Sequence, residues 1–299
     1  MKISVVIPSY NQAAYLPMTL ESVCAQDHPD TEVLVFDGGS TDGSAEILQT
    51  GRRTTATGGP VRWVSQPDGG QADAINQGLR AATGDVLAYL NSDDVYYPGA
   101  LAAVAAHFEA NPDCLALYGR AHHLYADGSI MEEYPTGSWD YARLLDTCFL
   151  CQPAVFWRRE IVERFGVFDD TLRYALDYEY WLRVGREVPF HYLEGRFLAG
   201  SRLHADTKTL SQRAAVHLEL ARTVQKYSPH PEPVWRWVKH LAHHRAMEHE
   251  SPDPTDSEGR RRFVAAMVAH CALAGPELEL PATAAVLAGL EADLASVGV

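Results

Sequence analysis

The sequence predicts an α/β protein with a mostly parallel central sheet, helices on both faces of that sheet, and a C-terminal helical extension. Three observations carry this expectation. Apolar, β-rich runs alternate with helix-period segments through residues 3–90. Each apolar run there leads into a polar loop rich in turn-forming residues. Beyond about Ser211 the alternation stops and only helical patterning remains.

The first strand is expected over residues 3–7, with Pro8 ending its pairing because proline has no N–H to give a ladder. A helix over 13–25 follows, then a strand at 32–36, a helix at 44–49, a strand at 61–65, a helix at 71–82 and a strand at 85–90. Such repetition makes βαβ units, whose strands run parallel. The loops that close these strands, 8–11, 37–43, 66–70 and 91–94, then gather on one edge of the sheet. That edge is where open α/β sheets bind ligands. After Pro98 a helical run at 99–109 leads to an apolar stretch at 114–118, and 120–125 and 129–134 flank Asp127-Gly128 as a hairpin does. Helical segments at 139–145 and 176–186 enclose a strand at 153–157, and 195–208 reads as a polar, glycine-containing connection. Further helices are expected at 214–227, 233–248, 258–274 and 282–296, separated by breaks at 229–233 and 251–257. The expected division is one domain over 1–210, with halves meeting at about residue 98, and a helical extension over 211–299.

Composition narrows the partners. Hydrophobic residues make up 46% and charged residues 21% of the 299, the balance of a globular chain with a buried core. No apolar run has the length of a membrane span. Met1-Lys2 leads straight into the first strand without a secretory pattern, so a cytoplasmic location is expected. A net charge of -14 repels nucleic acid and anionic headgroups, which excludes nucleic acid as a partner. The five cysteines are odd in number and scattered, and Cys148 and Cys151 have no second pair to complete a zinc site. All five are expected as packed, reduced thiols.

Several loops carry chemistry. Asn91-Ser92-Asp93-Asp94 puts paired carboxylates at the carboxyl end of a strand, the place for a divalent cation carrying a phosphorylated substrate. Tyr10 offers a ring against which a base packs, unless residues 8–11 are only a turn capped by Asn11. In Gln66-Pro67-Asp68-Gly69-Gly70-Gln71 the glycines let a ligand approach the backbone, and the helix that follows favours an anion at its start. The G-x-G-x-x-G spacing of a dinucleotide fold is absent. Asp177 and Glu179 stand two apart near a helix start, so they face different sides, and both also suit the helix dipole.

Taken in order, Pro8-Ser9-Tyr10-Asn11, Asp37-Gly38-Gly39-Ser40-Thr41-Asp42-Gly43, Asn76-Gln77-Gly78, Asn91-Ser92-Asp93-Asp94 and Asp177-Tyr178-Glu179-Tyr180-Trp181-Leu182-Arg183 resemble the motifs of family 2 glycosyltransferases. The resemblance covers roughly residues 1–210. It implies the GT-A fold, a nucleoside diphosphate sugar donor with a UDP-sugar favoured, Mg2+ or Mn2+, and inversion at the anomeric carbon. The acceptor would be a saccharide, lipid-linked or other hydroxyl in surface polysaccharide, glycolipid or glycoconjugate synthesis. By the same resemblance Pro8 and Tyr10 receive the base and Asp37 accepts a hydrogen bond from it, commonly from uracil. Asp68 is then a candidate for base or ribose and Gln71 for the donor. Asn76 and Asp73 are either donor-facing or buried structural groups. Asp93 matches the last acid of the family's Asp-x-Asp pattern and is the first choice for metal. Ser92 belongs to the same donor-binding loop, and Asp94 is a second acid for metal, ribose or sugar. Asn91 stands where the first acid of the pattern would be, and Gly38 where a second acid usually follows Asp37. Asp177 is implied as the general base and Glu179 as an orienting or sugar-contacting group, with Arg183 structural or diphosphate-facing. Residues 195–208 could fold over the diphosphate, with Arg202 and Lys208 toward it and His204 completing the metal shell.

Trp139, Gln152, Trp157 and Tyr174 lie where an acceptor pocket is expected, although core packing explains each equally well. The terminal helices, with Trp235, Trp237, His243 and His244, could form a homodimer, cover the site or meet a partner, and peripheral membrane contact stays open. Two other classes remain. A sugar-phosphate nucleotidyltransferase would carry a glycine-rich basic loop after the first strand, and a noncatalytic carbohydrate-binding or assembly protein would need no base at Asp177.

Overall fold

The computed structural model describes residues 1–51, 53–205, 207–250, 257–278 and 280. They group into two compact units: Met1–Tyr141 with Cys148–His204, and Ala142–Thr147 with the chain from Ala205 onward.

The first unit opens with β1 (Ile3–Ser9), α1 (Leu16–Cys24), β2 (Thr31–Asp37), α2 (Ser44–Thr50), β3 (Val61–Ser65), α3 (Gln71–Ala81) and β4 (Val86–Tyr89). It continues with β5 (Val95–Tyr96), α4 (Ala100–Ala110), β6 (Ala116–Leu124) and β7 (Ile130–Glu133). After α5 (Tyr141–Asp146) come β8 (Val155–Arg158), α6 (Arg159–Phe165), α7 (Leu176–Gly185) and β9 (His191–Arg202). One sheet runs β3-β2-β1-β4-β8-β6-β9-β5, with β7 paired to β6. The four strands of the first half are mutually parallel. β8 runs antiparallel to both β4 and β6, β6 runs parallel to β9, and β5 is antiparallel to β9.

Every residue of β1 is buried, as befits a strand with a neighbour on each side and helices above and below. Its apolar residues Val5 and Ile7 join Val33 and Val35 of β2, Leu16 of α1, Val104 and Phe108 of α4 and Leu198 of β9 in one core. A second cluster is aromatic: Trp157 lies among Phe168, Tyr180 and Trp181 with ring centroids 5.5–6.1 Å away. Trp139 stacks on Phe190 at 4.8 Å. Trp157 is therefore core and presents no ring to an acceptor.

The structure departs from the sequence expectations in five places. Pro8 does not end β1, which pairs through Pro8↔Phe36 and Ser9↔Asp37. Val6 gives its carbonyl to Leu90 of the β4 side and Ser9 gives its own to Gly38 of the β2 side. Alternation therefore turns the nitrogen of Pro8 toward β4, beyond the end of the β1–β4 pairing at Tyr89, and no ladder bond is lost. The expected connection at 195–208 is instead strand as far as Arg202, because β9 is enclosed by β6 and β5 and its backbone must be paired. The stretches 114–118 and 120–125 form one strand, β6, through Gly119, where an added Cβ would lie 2.5 Å from Leu198 Cδ1. The short strand β5 and the helix α6 had no distinct signal. The helix expected at 282–296 lies outside the described residues.

The second unit contains most of α5 with α8 (Lys208–Ser211), α9 (Arg213–Tyr227), α10 (Pro231–Met247) and α11 (Ser257–Glu277). Trp237 Nε1 donates to Leu145 O at 2.9 Å and Arg236 pairs with Asp146 at 3.1 Å, fastening α5 to α10. Trp235 and Trp237 are buried here, so neither ring is offered to a second copy. Among the described residues no helix is long and apolar enough to cross a membrane.

Candidate active site

The register Ser9↔Asp37 and Asp37↔Ser65 levels the carboxyl ends of β1, β2 and β3, so their loops meet on one edge. The β1 loop turns at Asn11, whose φ of 53° lies in the left-handed region that asparagine tolerates. Asn11 donates its N–H to Ser40 Oγ at 2.8 Å and accepts from Thr41 N at 2.9 Å. Asp42 accepts from Ala13 N at 2.8 Å. Asp37 is buried, and its carboxylate accepts from Ser40 N at 3.0 Å and Ser65 Oγ at 2.7 Å. These bonds lock the first two loops together and leave the Tyr10 ring 63% exposed above them.

Asp68 accepts from Gly70 N at 2.8 Å, and its carboxylate fills the space over Gly38, where an added Cβ would be 3.0 Å from Asp68 Oδ2. An acid at 38 would press against Asp68; its absence makes room for that carboxylate beside Asp37. Asp73 accepts from Gly69 N and from Gln77 Nε2, each at 2.9 Å, and so ties the preceding loop to its own helix. Asn76 is 1% exposed, donating to Phe168 O at 2.9 Å and accepting from Phe168 N at 3.0 Å. Both ends of its amide clamp that backbone, which matches the buried structural alternative for Asn76.

Asn91 is the hub after β4. Its amide donates to Asp94 Oδ2 at 3.3 Å and to Gln152 Oε1 at 3.2 Å, and its oxygen accepts from Gln71 Nε2 at 2.8 Å. Gln152 in turn donates to Tyr89 O at 2.8 Å. The departure from the Asp-x-Asp pattern has a local cause: an amide donates a hydrogen bond to the buried Asp94 carboxyl, where a second carboxylate would repel it. Gln71 and Gln152 accordingly serve this network.

Asp94 is 3% exposed, with its oxygens accepting from Arg202 N at 2.8 Å and from Asn91. Burial, reinforced by the charge of Asp93, pushes its carboxyl well above the usual range. It points inward and is corrected from metal ligand to the anchor between β4 and β9. Ser92 is also buried, at 4% exposure. Arg202, expected to meet the diphosphate, is 3% exposed and donates to Asp93 O at 2.8 Å, Ala126 O at 3.0 Å and Tyr125 O at 3.3 Å. It fixes the backbone that carries Asp93.

The outward-facing acid is Asp93. Its Oδ2 lies 3.0 Å from His204 Nε2, with the two side chains 18% and 5% exposed. Tyr15 supports the pair: its ring centroid is 4.6 Å from that of His204 and 5.3 Å from the Arg202 guanidinium carbon. Tyr15 had no sequence signal beyond being an aromatic at a helix start. A carboxylate oxygen and an imidazole nitrogen this close are a fitting donor set for Mg2+ or Mn2+, with substrate oxygens and water to complete the shell.

Asp177 opens α7 and accepts from Tyr178 N at 2.8 Å, while burial pushes its carboxyl up to about 6. It shares an environment with Asp94, since both acids act on the buried Tyr89 hydroxyl and Cys151 thiol. Glu179 is 2% exposed and paired at 2.9 Å with Arg183, which also donates to Val167 O at 2.9 Å. That pair ties α7 to the turn after α6, which matches the orienting alternative for Glu179 and the structural alternative for Arg183.

The glycosyl transferase family 2 model matches residues 4–185. An uncharacterized glycosyltransferase of Nostoc sp. is 35% identical over 181 residues, 56% of this chain and 54% of that protein. The chain spans about half the length of the curated relatives it matches. Among solved structures, S. aureus TarS 1-349 in complex with UDP-GlcNAc aligns with a TM-score of 0.61 at 18% identity, covering 91% of this chain and 81% of that one. The mannosyltransferase PcManGT from Pyrobaculum calidifontis, in complex with GDP-Man and Mn2+, aligns with a TM-score of 0.61 at 19% identity, covering 97% and 79%. At such identities the structures speak for the fold, which is that of GT-A glycosyltransferases. The family match runs from the first strand through the helix of Asp177, more than half of the sequence, and the chain belongs to glycosyl transferase family 2.

Proposed function

We propose that the chain is an inverting, divalent-metal-dependent glycosyltransferase that moves a sugar from a nucleoside diphosphate sugar, a UDP-sugar by preference, to an acceptor hydroxyl of a glycan, glycolipid or glycoconjugate. The observation that carries this reading is the 3.0 Å pairing of Asp93 with His204 on the ligand-binding edge of the sheet. TarS with UDP-GlcNAc and PcManGT with GDP-Man and Mn2+ are similar in fold, which supports the donor class and the need for an ion.

The exposed Tyr10 ring packs against the base, with Asp37 and Asp68 beside it to accept hydrogen bonds. Asp93 and His204 would hold the ion, which would offset charge gathering on the departing diphosphate. Asp177 takes the proton of the acceptor hydroxyl as that oxygen bonds to the anomeric carbon. The bond to the diphosphate oxygen breaks on the opposite face, its electrons leave with the diphosphate, and configuration inverts. A carboxyl raised to about 6 is still ionised at neutral pH and is a stronger base than an ordinary aspartate.

Calorimetric titration of UDP and GDP into the full chain, with and without Mn2+ or Mg2+, tests the reading. Metal-dependent binding of UDP is expected, weakened at least ~10-fold in Asp93→Ala, a loss comparable to that of a metal-site partner. Absent binding of both nucleotides, or binding indifferent to the ion, would overturn it.

A further inference from the structure

We propose that His107, Cys114 and His191 form a second metal site, selective for a thiophilic divalent ion of the zinc type, at the sheet edge opposite the donor site. His107 lies in the last turn of α4, Cys114 precedes β6, and His191 opens β9. Arg202, beside Asp93, closes β9, so the length of the strand, on the order of 30 Å, separates the two places.

Among the described residues this is where three candidate ligands converge: one donor atom from each lies within 4.8 Å of the other two. His107 Nε2 is 3.2 Å from His191 Nδ1, with the rings edge to face at 83°. In a tetrahedral zinc site, bond lengths of about 2.0–2.3 Å set neighbouring donors roughly 3.3–3.6 Å apart, so small side-chain shifts complete the geometry.

The backbone around the cysteine is held. Arg158 donates to Cys114 O and Phe108 O, each at 2.8 Å, and Asn111 Nδ2 donates to His107 O at 2.8 Å. Cys114 N donates to Asn111 O at 3.0 Å. Burial pushes the Cys114 thiol up to about 11 while the Arg158 charge pulls the other way. Burial and His191 hold His107 below its ordinary value, favouring the neutral imidazole that ligates. Two imidazoles and a thiolate select zinc over the oxygen-preferring Mg2+ and Mn2+, and three protein ligands leave the fourth position to water. The ion would staple α4 to the starts of β6 and β9, and its binding would release the thiol proton.

Titration of the reduced full chain with Co2+, followed by absorption, is the test. We expect a thiolate-to-cobalt charge-transfer band with tetrahedral visible bands, both erased by Zn2+ and unchanged in Asp93→Asn. Cys114→Ser should abolish the charge-transfer band. His191→Gln and His107→Gln should each weaken Co2+ binding by more than the ~10–100-fold that loss of an outer-shell partner costs. Absence of a thiolate band in the native chain, or its persistence at full strength in Cys114→Ser, would overturn the assignment. If that variant fails to fold, unchanged Co2+ affinity in both histidine variants would do the same.

Discussion

Asp177 and Asn91 separate what a motif says from what its surroundings make of it. Asp177 is legible as a base by resemblance, but its raised carboxyl comes from burial among non-local groups that no local pattern announces. Transfer requires the carboxylate, so the rate should fall as pH drops through about 6. Asp177→Asn should lower kcat by roughly 10²–10⁴-fold with donor affinity kept, as judged by single-turnover rates beside UDP titration. Near native turnover in that variant would remove Asp177 from the chemistry. Asn91 looks like a missing metal ligand, and the structure makes it the donor that satisfies buried Asp94. Asn91→Asp should therefore not restore a metal ligand but destabilise the fold by about 1–3 kcal/mol, the cost of a buried acceptor losing its donor. Denaturant unfolding at neutral pH reads this directly, and an unchanged midpoint would contradict it. Asn76, Ser92, Arg202 and Glu179 show why such residues are hard to assign from a motif: polarity there marks either a ligand contact or a buried bond, and only the partner tells which.

The first half of the sheet was legible element by element, since buried parallel strands announce themselves as apolar runs between helices. β9 was not, because Gly195, Gly200, Ser201 and Arg202 look like a loop. Gly200 marks a close approach instead, where a Cβ would lie 2.5 Å from Leu124 Cδ1. Gly78 of α3 follows the same rule. A helical glycine replaced by alanine ordinarily gains up to about 1 kcal/mol. Here the new Cβ would stand 2.2 Å from Val6 Cγ1 of β1, forcing helix and sheet apart. Gly78→Ala should thus reverse the sign and destabilise by about 1–3 kcal/mol through overpacking, measured by thermal or urea unfolding. A stabilised variant would show that α3 has slack against the sheet. The Asn76-Gln77-Gly78 motif is on this view a packing device: one residue clamps Phe168 and another lets the helix close on β1.

At the scale of the molecule, the two units respond to acid to different extents. In the first, Asp94 and Asp177 have carboxyls raised above the ordinary value of 3.8. A raised acid contributes its stability fully below its unfolded value and loses it as pH rises through the folded value, so protonating these two on acidification strengthens the unit. In the second, burial lowers His217, His240 and His244 from the ordinary 6.5, His244 to about 4. Those rings crowd one another, with centroids of His217 and His244 4.6 Å apart, and Arg213 and His243 add further like charge. A lowered histidine contributes stability above its unfolded value and loses it as pH falls through the folded one, so protonation weakens this unit. The first unit has acid-labile groups of its own: burial lowers His107 and His122 from 6.5, while Glu32 and Asp42 have lowered carboxyls that act only below about their ordinary 4.5 and 3.8. Between about pH 6.5 and 4.5 the helical unit, with its crowded histidines, should therefore lose more thermal stability than the sheet unit, where the raised Asp177 offsets the lowered His107 and His122. Melting followed by amide hydrogen exchange resolved along the chain checks this: exchange in α9 and α10 should quicken first as pH drops, after correction for intrinsic rates. His244→Gln should shift that loss to lower pH, and equal weakening of both units across the window would refute the difference between them.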